Sequence, residues 1–180
     1  MGTQAKRQQH PLATLTLADQ NCIVAVENAT PSAERRHLTV TCASKTVLSY
    51  LTEDHLLDMS RNSSDGTRII VRWEGTGLFH VTILNLGITE LGTQVRIVFD
   101  QSSRTAPEIL AAPDVILAFG EESLKGDTFV PTTTDLLRWD GGQYKLAARW
   151  KWNDEMNFND RFCVLDPKVL SCPATSLPLK

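Results

Sequence analysis

The stretch RWDGGQYKLAARWKW, Arg138 to Trp152, holds three Trp and one Tyr in fifteen residues. Gly141-Gly142 reads as a two-residue hairpin turn, which sets Asp140 opposite Gln143 and Trp139 opposite Tyr144. Side chains alternate across a sheet. Leu137, Trp139, Tyr144, Leu146, Ala148, Trp150 and Trp152 then fall on one face, and Arg138, Lys145, Ala147, Arg149 and Lys151 on the other. A one-residue slip would bury four cations, so the register is strongly specified. The aromatic face is expected to be core, with Trp152 at the strand end nearest to solvent. A sugar-stacking platform uses the same residue types, but it would leave Leu137 and Leu146 exposed as well.

The basic face is the more informative half. Arg138, Lys145, Arg149 and Lys151 are expected on one outer face, as a cationic stripe on an otherwise acidic chain. The plain reading is a solvated strand face whose lysines protect an edge. The functional reading is a docking surface for an acidic partner, with Trp152 beside it, since Arg and aromatic residues are common interface anchors.

The same period-2 alternation extends outward through the chain. ATLTLA (13–18), CIVAVEN (22–28), RHLTVTCA (36–43) and TVLSYL (46–51) read as strands, with Val24 and Val26 facing Leu38 and Val40 across a hairpin. TRIIVRW (67–73), LFHVTILNL (78–86) and TQVRIVFD (93–100) form a three-strand meander around the turns EGTG and GITELG. Ile69, Val71 and Trp73 share a face, as do Phe79, Val81 and Ile83. DVILAFG (114–120) is a strand buried on both faces, and Pro131 marks TFVPTTT as an edge. TEDHLLDMSRN (52–62) reads differently. Thr52 is placed as an N-cap, Glu53 and Asp54 lie in the first turn and Arg61 near the end, so a short helix is expected. A further helical turn is expected at Pro107. The expected fold is all-β, mainly an antiparallel sandwich or barrel of about nine to ten strands, with one or two short helices. Residues 1–12 are expected as a flexible segment and 13–180 as a single β-rich domain.

Composition narrows the function. A net charge of −3 and a pI near 5.8 argue against nucleic-acid binding, which usually needs a strongly basic face. No apolar run approaches the roughly 20 residues of a membrane span. Four cysteines permit three pairings. Cys22 with Cys42 and Cys163 with Cys172 are favoured, because each pair brackets a hairpin or tight loop. That pairing implies an oxidising compartment. Met1-Gly2 ahead of a polar stretch reads as a start placed after a removed leader, though a cytoplasmic start would read much the same.

No motif names a reaction. There is no GxSxG, HExxH, Walker A or GxGxxG. The run NDEMNFND (153–160) alternates oxygen ligands but lacks the glycine of a calcium loop. Asn28-Ala29-Thr30 and Asn62-Ser63-Ser64 match the glycosylation sequon. His80 alternates with Phe79 and Val81 and is expected to face solvent. No cofactor is expected. The leading expectation is a non-enzymatic, periplasmic or secreted binding protein that captures another protein, of inhibitor or immunity type. A carbohydrate-binding module using Trp152 or Trp73 is the first alternative, and a hydrolase with a loop-built site the second.

Overall fold

The alternation is realised as strand along almost the whole chain. The structure, a computed structural model, describes residues 11–30, 34–61, 67–90, 92–111, 114–120, 122–125, 127–152, 163–165, 169–172 and 175–178. The first sheet has the order β1 (Ala13–Leu17), β2 (Cys22–Asn28), β3 (Arg36–Cys42), β4 (Lys45–Thr52). The second runs β5 (His55–Arg61), β6 (Arg68–Gly75), β7 (Leu78–Thr89), β8 (Gly92–Ser103). A third sheet contains β9 (Glu108–Leu110), β10 (Val115–Phe119), β13 (Thr133–Trp139) and β14 (Tyr144–Lys151), in the order β14-β13-β10-β9. The hairpin β11 (Glu122–Lys125) and β12 (Thr128–Pro131) separates β10 from β13. Strands β15 (Val164–Leu165), β16 (Val169–Cys172) and β17 (Thr175–Pro178) form a last small sheet. Every ladder among the described residues is antiparallel.

The sheets stack, and the second lies in the middle. Leu17, Val24, Val26, Leu38 and Val40 of the first sheet and its margin meet Ile69, Val71, Trp73, Leu84 and Leu86 of the second in one core. The opposite face of the second sheet, with Ile70, Val81, Ile83 and Phe99, meets Ile116 and Ala118 of the third. The far face of the third sheet buries Val115, Leu117, Phe119 and Leu136 with Cys163. β1 lies beside β5 and β4 beside β8, so both long edges of the first two sheets run close together.

Several expectations are realised directly. Val24 pairs with Val40 and Val26 with Leu38. Trp139 faces Tyr144 across the turn, where Gly141 takes φ +96°. Asp140 Oδ1 caps that turn by accepting the N–H groups of Gly142 and Gln143 at 3.0 and 2.9 Å. Val115–Phe119 is buried throughout.

Others are corrected, and β-bulges are the main reason. No helix forms over residues 52–61. Thr52 does accept the Asp54 N–H at 3.1 Å, but in a tight turn that leads into β5. Leu56 and Met59 both pack on the first core because Leu57 is an extra residue between Leu56↔Trp73 and Asp58↔Arg72. That bulge produces the three-residue spacing of a helix face inside a strand. The turn expected at Pro107 leads instead into β9, and the helical content of the described residues is one 3-10 turn, Ala18–Gln20.

The β13–β14 face assignment changes for the same reason. Leu137 pairs with Leu146 but Leu136 with Ala148, leaving Ala147 unpaired. Beyond that bulge the phase of β14 reverses. Tyr144 and Leu137 pack toward the second sheet, whereas Ala148, Trp150 and Trp152 pack on the far face with Leu136. Val47 in β4 and Val98 in β8 are likewise extra residues. All four bulged strands are sheet edges, where a bulge disrupts templated pairing.

Cys22 and Cys42 are directly paired across β2 and β3 and form a disulfide. Cys163 is buried and also disulfide-bonded. The Cys172 side chain lies outside the described part, as do residues 1–10, the sequon at 62–64 and the run 153–160. Leu12 is already anchored, its N–H donating to the Val26 carbonyl at 2.7 Å. The Cys22–Cys42 bond spans 20 residues, a closure worth about 3 kcal/mol against the unfolded chain. Replacing both cysteines with alanine should lower the unfolding free energy by about that amount, read from the urea midpoint. A loss well under about 1 kcal/mol would mean that the β2–β3 hairpin holds its register without the bond.

Candidate functional site

The densest ionisable cluster lies at the β4/β8 margin of the first core. His80 Nδ1 is 2.6 Å from Asp54 Oδ2, and its Nε2 is 2.7 Å from Asp100 Oδ1. Thr82 donates to the same Asp100 oxygen at 2.9 Å, and the Trp73 indole N–H donates to Thr82 at 3.1 Å. Tyr50 completes the group, its hydroxyl 3.4 Å from Asp100 and its ring 6.4 Å from the imidazole. Local sequence builds this cluster. The Thr52 hydroxyl orders the Asp54 turn, and Gly75 leaves room for the carboxylate, since a Cβ there would lie 2.5 Å from Asp54 Oδ1.

The expectation that His80 faces solvent is overturned. It is 6% exposed, whereas its neighbour Phe79 is 38% exposed. His80 pairs with Trp73 on the face that the first sheet covers. Strand alternation separates two faces, and here both are buried. Burial pushes the imidazole down, but hydrogen bonds and charge from Asp100 and Asp54 outweigh it and hold the ring above its ordinary value. Burial likewise pushes Asp100 up, and His80, Thr82 and Tyr50 together bring it below the usual carboxylate value. A ring with both nitrogens on carboxylates donates twice as an imidazolium. The ring thus bridges Asp54 and Asp100 and straps the turn after β4 to β8.

A second buried cation ties the middle sheet to the third. Arg68, 3% exposed, bonds Asp114 and lies 4.5 Å over the Trp139 ring. Asp114 also accepts the Tyr144 hydroxyl at 2.9 Å, and its own carbonyl accepts the Trp139 N–H at 3.1 Å. Burial, followed by the Asp114 charge, pushes the Tyr144 phenol far up. Together these contacts hold the hairpin in place.

The expected stripe is divided. Arg138 pairs with Lys145 on one face, whereas Arg149 and Lys151 pair with Asp135 and Thr133 on the other. Lys145 Nζ lies 2.6 Å from Asp140, which is held at about 2 by that ammonium and by the Gln143 and Gly142 N–H groups. Arg149 grips Asp135 through two bonds of 2.7 and 2.6 Å. Trp152 is half-buried and donates to Thr134 at 2.8 Å. Trp73 is fully buried, and none of the four Trp residues is exposed.

What sequence reading missed is a pair of clefts flanking the start of β8. One, about 370 Å³, is lined by Lys45, Thr46, Val47, Thr93, Gln94, Val95 and Arg96. The other, about 210 Å³, is lined by Asn85, Gly87, Thr89, Gln94, Arg96, Gly141 and Gly142. Gln94 and Arg96 border both. Ile88, 73% exposed, projects from the adjoining β7–β8 tip. The sequence signal was only local, a Gln-Val-Arg edge strand beside three short turns. Among the described residues no cluster of His, Cys, Asp or Glu is arranged to hold a metal ion, and no helix is long and apolar enough to cross a membrane. Comparison with protein-family models, curated proteins and solved structures finds no match.

The strap makes stability depend on pH. A raised imidazole value means that the His80 contribution is fully present below 6.5 and lost as pH rises through the folded value. The lowered Asp100 value means a contribution present above 3.8 and lost as pH falls through its folded value. Stability from the pair is therefore greatest between 3.8 and 6.5. The urea midpoint should fall from about pH 5 to about pH 9, and His80→Gln should flatten that decline. His80→Ala should cost about 2–3 kcal/mol, less than a fully buried pair because Asp100 is partly solvated. An identical alkaline decline in wild type and His80→Gln would remove His80 as its source.

Proposed function

We propose that this chain is a binding protein of an oxidising, exported or periplasmic compartment, and that it captures another protein in the manner of an inhibitor or immunity protein. The observation that carries the reading is the concave end around β8. Two contiguous clefts with hydrogen-bonding walls adjoin a protruding Ile88. They sit where hairpin turns meet a stack braced by buried ion pairs. Binding residues on loops held by a rigid scaffold lose little freedom on association.

The cysteines support the compartment. Cys22 and Cys42 are buried and bonded, a state that persists where thiols are not kept reduced. The carbohydrate reading draws less support, because sugar stacking needs an exposed aromatic face, whereas Trp73 is fully buried and the other three Trp rings are half-buried.

The test is capture by the immobilised chain, followed by identification and purification of the bound protein and titration of the two pure components. A one-to-one complex is expected. Ile88→Asp should weaken it at least about tenfold without lowering the unfolding midpoint, since the side chain is exposed. Binding to a glycan panel with no protein complex would replace this reading with the carbohydrate module. Undiminished affinity in Ile88→Asp would move the interface away from the β8 end.

A further inference from the structure

We propose that the groove between β4 and β8 receives an acidic, extended segment of the partner protein, laid along the seam between the first two sheets. This rests on the protein-capture reading and specifies which surface makes the contact and what chemistry it selects.

β4 and β8 are edge strands of facing sheets and run side by side. The seam differs along its length. At one end Tyr50 on β4 reaches Asp100 on β8, and His80 and Asp54 close in behind them. At the other end the strands leave the cleft of about 370 Å³, large enough for a few side chains of a ligand.

Charge selects the occupant. Lys45 and Arg96 are the two charged residues of the lining, and both are exposed cations. Neither has a carboxylate within ion-pairing distance among the described residues. Five cations elsewhere on the surface do. Arg35 bonds Glu53, Arg61 bonds Asp19, Arg72 bonds Asp58, Lys145 bonds Asp140 and Arg149 bonds Asp135. On a chain of net charge −3, two cations lining one groove without a carboxylate partner among the described residues make a local positive site. Placing carboxylates between them gains attraction that solvent screens less than on an open surface.

The rest of the lining selects shape. Val47 and Val95 are half-buried and packed on the first core, so they supply an apolar floor. Thr46, Thr93 and Gln94 supply hydroxyl and amide groups. Edge strands also carry backbone N–H and C=O groups that their own sheet does not pair. An extended segment alternates its side chains, so one with carboxylates beside small apolar residues presents charge to the rim and a methyl surface to the floor. The bulge at Val47 interrupts the regular edge and limits the added segment to a few residues. The rim is fixed in advance. Lys45 follows the two-residue turn Ala43-Ser44, with φ +46° and +65°, and pairs with Cys42, which is disulfide-bonded to Cys22.

The experiment is amide chemical-shift mapping with an end-blocked five-residue peptide of alternating aspartate and valine. A lysine–valine peptide and a sulfated disaccharide serve as comparisons. The aspartate–valine peptide should shift the amides of residues 45–47 and 93–96, with affinity falling as salt rises. Lys45→Glu with Arg96→Glu should weaken it at least about tenfold and should admit the lysine–valine peptide instead. Lys45→Ala and Arg96→Ala provide the same readout if the double reversal folds poorly. Shifts elsewhere, no shifts, affinity unchanged by the reversal, or shifts from the sulfated disaccharide alone would each overturn the proposal. If the double reversal still captures the intact partner at full affinity, the groove assignment fails while protein capture stands. If wild type captures no protein, the wider reading fails, and the peptide titration still decides the groove.

Discussion

The middle sheet must be apolar on both faces, because a second sheet covers each one. That requirement governs the rest of the molecule. β6 and β7 are nearly continuous in buried residues, and the polar groups they do carry cannot be left without partners. The main ones are answered from neighbouring strands and turns. Arg68 is met by Asp114 and Trp139 from the third sheet and its margin. His80 is met by Asp54 and Asp100, and Thr82 by Asp100 and the Trp73 indole. The Arg68–Asp114 and His80–Asp54 contacts therefore act as fasteners between layers, and a displaced layer would strand a charge in an apolar interior.

Much of the fold was legible in alternation and turn chemistry. The β2–β3 register, the meander β6–β7–β8, the buried β10, the Gly141-Gly142 turn and the Cys22–Cys42 pairing all follow from period-2 reasoning. Two of the errors share one origin. A bulge inserts one residue and reverses phase, and nothing in Leu57 or Ala147 announces it. Leu56 and Met59 then imitate a helix face, and the aromatic and cationic residues of β14 divide between two sides. His80 failed for a different reason. Alternation assigns faces within a strand, but it does not say whether one or both are covered. The β8 clefts were illegible because their linings are adjacent only after separate hairpins converge.

Formal charge gives a poor picture of this surface. The chain is acidic overall, yet many carboxylates neutralise arginines and lysines of their own sheet, as in the β14 pairs with Asp135 and Asp140. What a partner would meet is the remainder, and that remainder is local. Paired cations such as Lys145 and Arg149 contribute little to long-range attraction, whereas cations such as Lys45 and Arg96, without a carboxylate partner among the described residues, can orient an approaching acidic surface.

The order of strands has a consequence for how the molecule assembles. In the first two sheets every ladder joins strands consecutive in sequence, so each can grow by adding one hairpin to the last. The third sheet is different, since β10 must skip the β11–β12 hairpin to find β13. Local pairings close quickly and the longer closure comes later. Until it does, the face bearing Ile70, Val81, Ile83 and Phe99 stands open as an apolar surface. That interval is when the chain is most prone to associate with its own copies, and Arg68, waiting on that sheet for Asp114, keeps one fixed charge on it until the third layer arrives.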